Sequence, residues 1–429
     1  MKGLACIGLS LNIPGFPKSN PVTKTFFNLV LKELRYFLKA HLINISENEA
    51  VEVCDAAGDF YLVACLKGDL NLTAIKQVCE EFETTHPLGR FIDVDLNDQH
   101  GDTVSSGKSK ICFFCLERPA IECRREKHHE ADELRAFMFL KMEVYCHQQH
   151  EEFIIKKLSS LALNAILTEI SLTPKPGLVD KFSNGSHSDM NYQAFISSTA
   201  AISQGFNELI RNGLTFRDND LTKALPVIRK IGLEMEKAMF EATNGVNTQK
   251  GVIFLLGLSL FAYGKIFGQS DKFDTEYFRL VIKDICKNLT YNELINKSNS
   301  VKSHGEAVFQ KYNFGGARSE AESGFRTVFE FGLPQIKDIE KLNDEALTKS
   351  FLAIASSNMD TNILYRSNIE VLSQFQSLCR IALEDFTAEN YSNVIDYCKK
   401  ENISPGGSAD LLAVTIFVWS VERIGAWGE

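Results

Sequence analysis

Strand-type alternation of hydrophobic residues runs through the first 150 positions of this 429-residue chain and then stops. Leu9, Leu11 and Ile13 alternate until Pro14-Gly15 interrupts them, and Ile92, Val94 and Leu96 alternate again. The β-branched and aromatic run Phe60–Leu66 predicts a buried strand. Between these lie helical spacings: Phe26, Phe27, Val30, Leu31, Leu34, Phe37 and Leu38, then Ile75, Val78, Cys79 and Phe82. From Leu158, Leu161, Ala162, Ala165 and Ile166 onward only the helical period remains, with long stretches from Tyr192, Leu233, Gly251 and Leu411. The expectation is two domains: an α+β domain over residues 1–150 and an all-α helical domain over 151–429. The boundary near Glu151 rests on the change of period alone, and no Gly/Ser linker marks it.

The length supports this division, because 429 residues exceed what a single core usually organises. A net charge of −9 argues against a general nucleic-acid binder but leaves room for a nucleotide pocket, which needs only a few cations. Eleven cysteines, with no export signal after Met1-Lys2-Gly3, point to free thiols in a reducing cytoplasm. The most apolar run, Val252–Tyr263, reads as a buried helix too short to cross a bilayer, so no membrane is expected.

In the first half, Asp93 and Asp95 follow His86-Pro-Leu-Gly-Arg90. On a strand they share a face, about 7 Å apart, where they could hold one Mg²⁺. Arg90 could fork onto a phosphate. The plain alternative is a solvated strand face. Cys112 and Cys115, then Cys123 and His129, have spacing that could supply four Zn²⁺ ligands. The alternative preferred here is a set of reduced cysteines packed on strands as small apolar residues. Arg125 could meet an anion, and a basic surface turn explains it equally well.

The string H-P-L-G-R-F-I-D-V-D, with Gly101, Ser105, C-F-F-C, Cys123, Arg125, His129 and the opening L-S-L-N-I-P-G, resembles the citrate lyase holo-acyl-carrier-protein synthase family over residues 1–145. The resemblance implies transfer of phosphoribosyl-dephospho-CoA to a serine of the lyase acyl carrier protein with loss of pyrophosphate. Asp93 and Asp95 would position the metal. Ser106 departs from the arginine usual there, and Lys108 could replace that contact.

The helical half carries five polar motifs. Thr173-Pro-Lys175-Pro-Gly-Leu-Val-Asp180 leads to His187-Ser-Asp189-Met190, with a helix expected to begin at Ser188 and Asp189 in its first turn. In Asn247-Thr-Gln-Lys250-Gly, the lysine falls where a helix dipole disfavours a cation, which suggests a compensating bound anion or else a tolerated exposed lysine. Arg318 and Glu322 stand one turn apart and could pair, with Glu320 between them. Asp360-Thr-Asn362 is followed by Arg366. Finally, Gly406-Gly407-Ser408-Ala-Asp410 opens an apolar helix and could cradle an anion, or be only a turn.

In this order the motifs P-K-P-G-L-V-D, H-x-D-M, A-T-x-G-V-N-T-x-K-G, G-A-R-x-E-A-E-x-G, D-T-N and S-P-G-G-S-A-D-L-L resemble the triphosphoribosyl-dephospho-CoA synthase family over residues 160–420. The resemblance implies condensation of ATP with 3′-dephospho-CoA and release of adenine, with Mg²⁺, Lys250 and Arg318 on the triphosphate and Asp189 or Glu322 as general base. Gln249 departs from the usual histidine and is not expected to act as an acid. Arg366-Ser367-Asn368 departs from Arg-Gly-Gly. A malonate decarboxylase pathway uses a related synthase, and the fusion points to citrate lyase instead. A nucleotide or ADP-ribosyl hydrolase, or a helical scaffold for the lyase complex, are the competing readings.

Overall fold

The computed structural model describes residues 4–65, 71–105, 110–270, 274–295 and 304–424. Met1-Lys2-Gly3, Leu66, Ser106 and Lys108 lie outside the described residues. The chain packs as two compact units, Met1–His150 and Glu151–Glu429.

The first unit is built on strands β1 (Cys6–Leu11), β2 (Val51–Asp55), β3 (Gly58–Ala64) and β4 (Ile92–Asn97). They form one antiparallel sheet in the order β2-β3-β1-β4. Helix α1 (Pro21–Ala40) precedes β2, and α2 (Leu72–Thr85) precedes β4. Ile7, Leu9, Leu11, Tyr61, Val63, Ile92, Val94 and Leu96 point inward against Phe26, Val30 and Leu34 of α1 and Cys79 and Phe82 of α2. The period-two pattern therefore marks a sheet covered on one face. Helix α1 starts sharply because Pro21 follows the N-cap Asn20, whose side chain accepts from Thr23 N while the Thr23 hydroxyl caps Asn20 in return. Such a box is worth about 1 kcal/mol.

Two strand expectations change. Phe60, expected buried, is 39% exposed on the sheet's outer face. Strand β2 gave no sequence signal because every one of its residues is exposed, so no alternation was imposed on it.

After the short α3 (Ala120–Arg125), α4 (Ala131–Ser171) runs for 41 residues. The division at His150 falls inside α4 and not in a loop. The second unit continues with α5 (Tyr192–Ile202), α6 (Phe206–Thr215), α7 (Ala224–Ala242), α8 (Lys250–Phe267), α9 (Thr275–Ile285), α10 (His304–Tyr312) and α11 (Ala317–Glu322). It closes with α12 (Asp344–Ser357), α13 (Thr361–Arg366), α14 (Ile369–Glu384), α15 (Ala388–Lys400) and α16 (Gly406–Glu422). The helices expected from Leu233 and Leu411 begin earlier, at Ala224 and Gly406. Helices α8 and α16 are apolar on every side because the others enclose them. The expectation that the apolar run is too short for a bilayer also changes. Helix α8 has the length and composition to cross a membrane, and it is buried in the core of this unit.

Candidate functional site

Asp93 and Asp95 stand on the outer face of β4, opposite Ser10 and Gly8 of β1. Loss of water raises the Asp95 carboxyl above its ordinary range, and repulsion from Asp93 adds to this. Two lysines that the sequence did not single out bracket the pair. Lys110 Nζ lies 2.6 Å from Glu83 Oε2 and 3.7 Å from Asp93 Oδ1. Lys76 Nζ donates to Val94 O at 3.2 Å. No spacing rule links these residues, since Lys76 belongs to α2 and only the helix–sheet packing brings it to β4. Arg90 Nη2 donates to Ile111 O at 2.6 Å, so part of its fork holds main chain. Arg125 is exposed at the end of α3.

His86, which opens the motif, anchors a polar network. Its Nδ1 accepts from Leu88 N, which leaves Nε2–H to donate to Glu33 Oε2 at 3.0 Å; Glu33 in turn accepts from Tyr145. Cys112, Cys115, Cys123 and His129 also converge, with their donor atoms within 4.8 Å of one another. Contrary to expectation these cysteines are not on strands. Cys112 and Cys115 lie in a turn, and Cys123 is on α3. The backbone N–H of Glu117 draws the Cys115 thiol down to about 6, and burial pushes Cys123 up to about 12.

In the helical unit the motifs meet through named contacts. Asp360 caps α13 through Asn362 N, and its Oδ2 accepts both the N–H and the hydroxyl of Ser408 at 2.8 and 2.9 Å. The N–H of Ser408 at this helix start is therefore taken by the protein's own carboxylate. Asn362 packs against Gly406. Two residues beyond Ser408, Asp410 approaches Gly251 so closely that a Cβ there would fall 1.8 Å from Oδ2. Burial holds the Asp410 carboxyl well above the carboxylate range, and nearby Glu169 and Asp360 add to it. Gly316 brings α11 in as well: its backbone is left-handed (φ 56°), and a Cβ would fall 2.8 Å from Thr361.

Several pairings differ from those expected. The helix after His187 is capped by Asn191, not Ser188, so Asp189 sits in the preceding loop and outside any first turn. Its carboxylate is 3.7 Å from His187 Nδ1. Arg366 donates to Ser186 O and to His187 Nδ1, so His187 Nε2–H faces Ser404 Oγ at 2.9 Å. Loss of water holds His187 below its usual value, and Arg366 reinforces this. Lys250 opens α8 as expected, but its charge is met by Glu236 at 2.7 Å, so no external anion is required to compensate it. Asn247 Oδ1 accepts from Lys250 N.

Arg318 pairs with Glu293 at 2.9 Å and not with Glu322. Glu293, also held by Arg229, came without a sequence signal. Burial works to raise Glu293, and its two guanidinium partners bring it below the ordinary glutamate value. Glu322 accepts from Thr290 N, and Glu320 is tied to Thr327 N and Oγ1. Lys175 is buried on Glu169 at 2.7 Å, while Asp180 accepts the N–H groups of Lys175, Phe182 and Ser183. These two residues build their loop. Gln249 is buried on Ser198 and Thr199.

Two family models match separate stretches of the chain. Residues 155–429 match the family model of ATP:dephospho-CoA triphosphoribosyl transferase, and residues 2–144 that of apo-citrate lyase phosphoribosyl-dephospho-CoA transferase. Protein CitXG of Leuconostoc mesenteroides is 31% identical, over 96% of this chain and 90% of its own length. This chain belongs to the CitXG family. Protein CitXG of Haemophilus influenzae is 30% identical over 97% of the chain and 91% of its own. A probable 2-(5″-triphosphoribosyl)-3′-dephosphocoenzyme-A synthase of Photobacterium profundum is 35% identical over 61% of the chain and 86% of its own. The chain joins two transferases in one polypeptide, and it serves biosynthesis of the citrate lyase prosthetic group.

Proposed function

We propose that residues 151–429 condense ATP with 3′-dephospho-CoA, and that residues 1–150 attach the product to a serine of the citrate lyase acyl carrier protein. In the first step the 2′-hydroxyl of dephospho-CoA attacks C1′ of the ATP ribose. Its proton passes to a carboxylate, the C1′–N bond breaks, and adenine leaves with the triphosphate intact. The observation that supports this reading is the meeting of motif residues from separate loops at the start of α16, where Asp360 holds Ser408 and Asp410 lies on Gly251. Of the two base candidates, Glu322 is engaged by Thr290, whereas Asp189 is exposed beside a neutral imidazole. We assign the base to Asp189. Lys250, Arg318 and Arg366 supply the cations for the triphosphate.

In the second step the carrier serine attacks the α-phosphorus, the bond to the β-phosphate bridging oxygen breaks, and pyrophosphate leaves. Asp93 and Asp95 offer hard oxygens whose mutual repulsion a divalent cation relieves, so they fit Mg²⁺. Bound there, Mg²⁺ would neutralise the departing pyrophosphate. Lys110 and Arg90 position the neighbouring main chain and charge. Eleven free thiols suit a reducing cytoplasm.

Free adenine, measured with ATP in the presence and absence of dephospho-CoA, tests the first step. Release should require dephospho-CoA, whereas release without it supports a hydrolase. Asp189→Asn should abolish release, and near-normal release would remove Asp189 from the mechanism.

A further inference from the structure

We propose that Cys112, Cys115, Cys123 and His129 bind one structural zinc ion that pins residues 110–130 beside the carboxylates of β4. The donors converge from one turn, from α3 and from the segment after it, with all four atoms within 4.8 Å of one another. The sulfurs of Cys115 and Cys123 stand 3.7 Å apart. Two sulfurs on a tetrahedral zinc, with Zn–S bonds of about 2.3 Å, are separated by about 3.8 Å, whereas a disulfide needs about 2.05 Å. Among the described residues His129 Nε2 is buried with no hydrogen-bond partner, at the edge of a thiol cluster. Three thiolates and an imidazole fill a tetrahedron with no open position, which makes the site structural and not catalytic.

The surrounding chain shows why such an ion is needed. Between Asn97 and Glu130 the described residues form only the six-residue α3 and isolated bridges such as Ile111–Pro119. Among those residues only Cys112 and Cys123 are buried. Phe113 and Phe114 anchor one side of this segment through Phe91 and Phe137, and a metal would supply the order that so little full burial leaves wanting. Leu116, directly after the second cysteine, adopts φ 60°, a conformation that a leucine keeps only where its surroundings impose it. The ordered knuckle reaches the transferase face twice. Arg90 holds Ile111 O, and Lys110 at its base contacts Glu83 and Asp93.

Elemental analysis of the full chain, purified under reducing conditions, should find about one zinc per molecule. Cys115→Ser and Cys123→Ser should lose it, and His129→Cys should keep it. Cobalt substitution should give thiolate charge-transfer bands together with tetrahedral d–d bands. Stripping zinc with a chelator should open the exposed Arg124, Arg125 and Lys127 to trypsin, because cleavage tracks local opening. Adenine release should be unchanged, which separates this test from that of the catalytic reading. A zinc-free chain with an intact knuckle, a Cys115–Cys123 disulfide, or serine variants that retain zinc would overturn the proposal.

Discussion

Asp410 shows how a single carboxyl can be set against the stability of its own fold. Burial, then Glu169 and Asp360, hold its folded pKa well above the free value of 3.8. Above that value the folded chain keeps a proton that the unfolded chain has lost, so stability falls as pH rises toward the folded pKa. Asp410→Asn has no charge to suppress. The ligand-free variant should melt about 2–4 °C higher than the parent at pH 7 while losing adenine release about a hundredfold or more. Differential scanning calorimetry and adenine chromatography read the two effects, and a lower melting point would refute the electrostatic account. His187 works in the opposite sense. Its folded value is depressed, so the unfolded chain binds the extra proton, and stability should fall as pH drops below about 6.5. His187→Asn should flatten that slope in melting curves taken between pH 7 and 5.

At the scale of elements, close contacts at glycines decide how the helical core assembles. A Cβ on Gly264 of α8 would fall 2.4 Å from Ile210 O of α6, and one on Gly213 of α6 would fall 2.2 Å from Phe261 O. Gly264→Ala should therefore separate α6 from α8 and cost about 1–3 kcal/mol, measured as a lower denaturant midpoint with the slope unchanged. The hydrophobic periods of α1, α2, β1 and β4 were legible because each of these elements buries one face. Strand β2 was not, because it buries neither. The start of α5 was misplaced for a related reason. Ser188 and Asn191 are both competent caps, and only the path of the loop chose between them.

For the whole molecule, the expected consequence is that each activity can be removed alone. Asp93→Asn should stop labelling of the carrier protein and leave adenine release intact, whereas Asp189→Asn should do the reverse when the triphosphoribosyl intermediate is supplied. An equimolar mixture of the two variants should recover carrier labelling from ATP and dephospho-CoA, since a diffusible intermediate can pass between molecules. Mass spectrometry of the carrier protein measures this, and failure to recover would argue for direct transfer within one chain.

By itself the sequence determined that the described strands keep to the first part of a mostly helical chain, and which residues carry charge into the helical loops. Periodicity and ordered motifs are local properties of the chain. It could not determine who pairs with whom. Arg318 passes over Glu322, one turn away, to reach Glu293; Lys250 is met by Glu236; and the N–H of Ser408 is taken by Asp360. These partners lie 14 to 48 positions apart. The packing of the chain brings them together, because a charged side chain takes the partner that the fold places beside it.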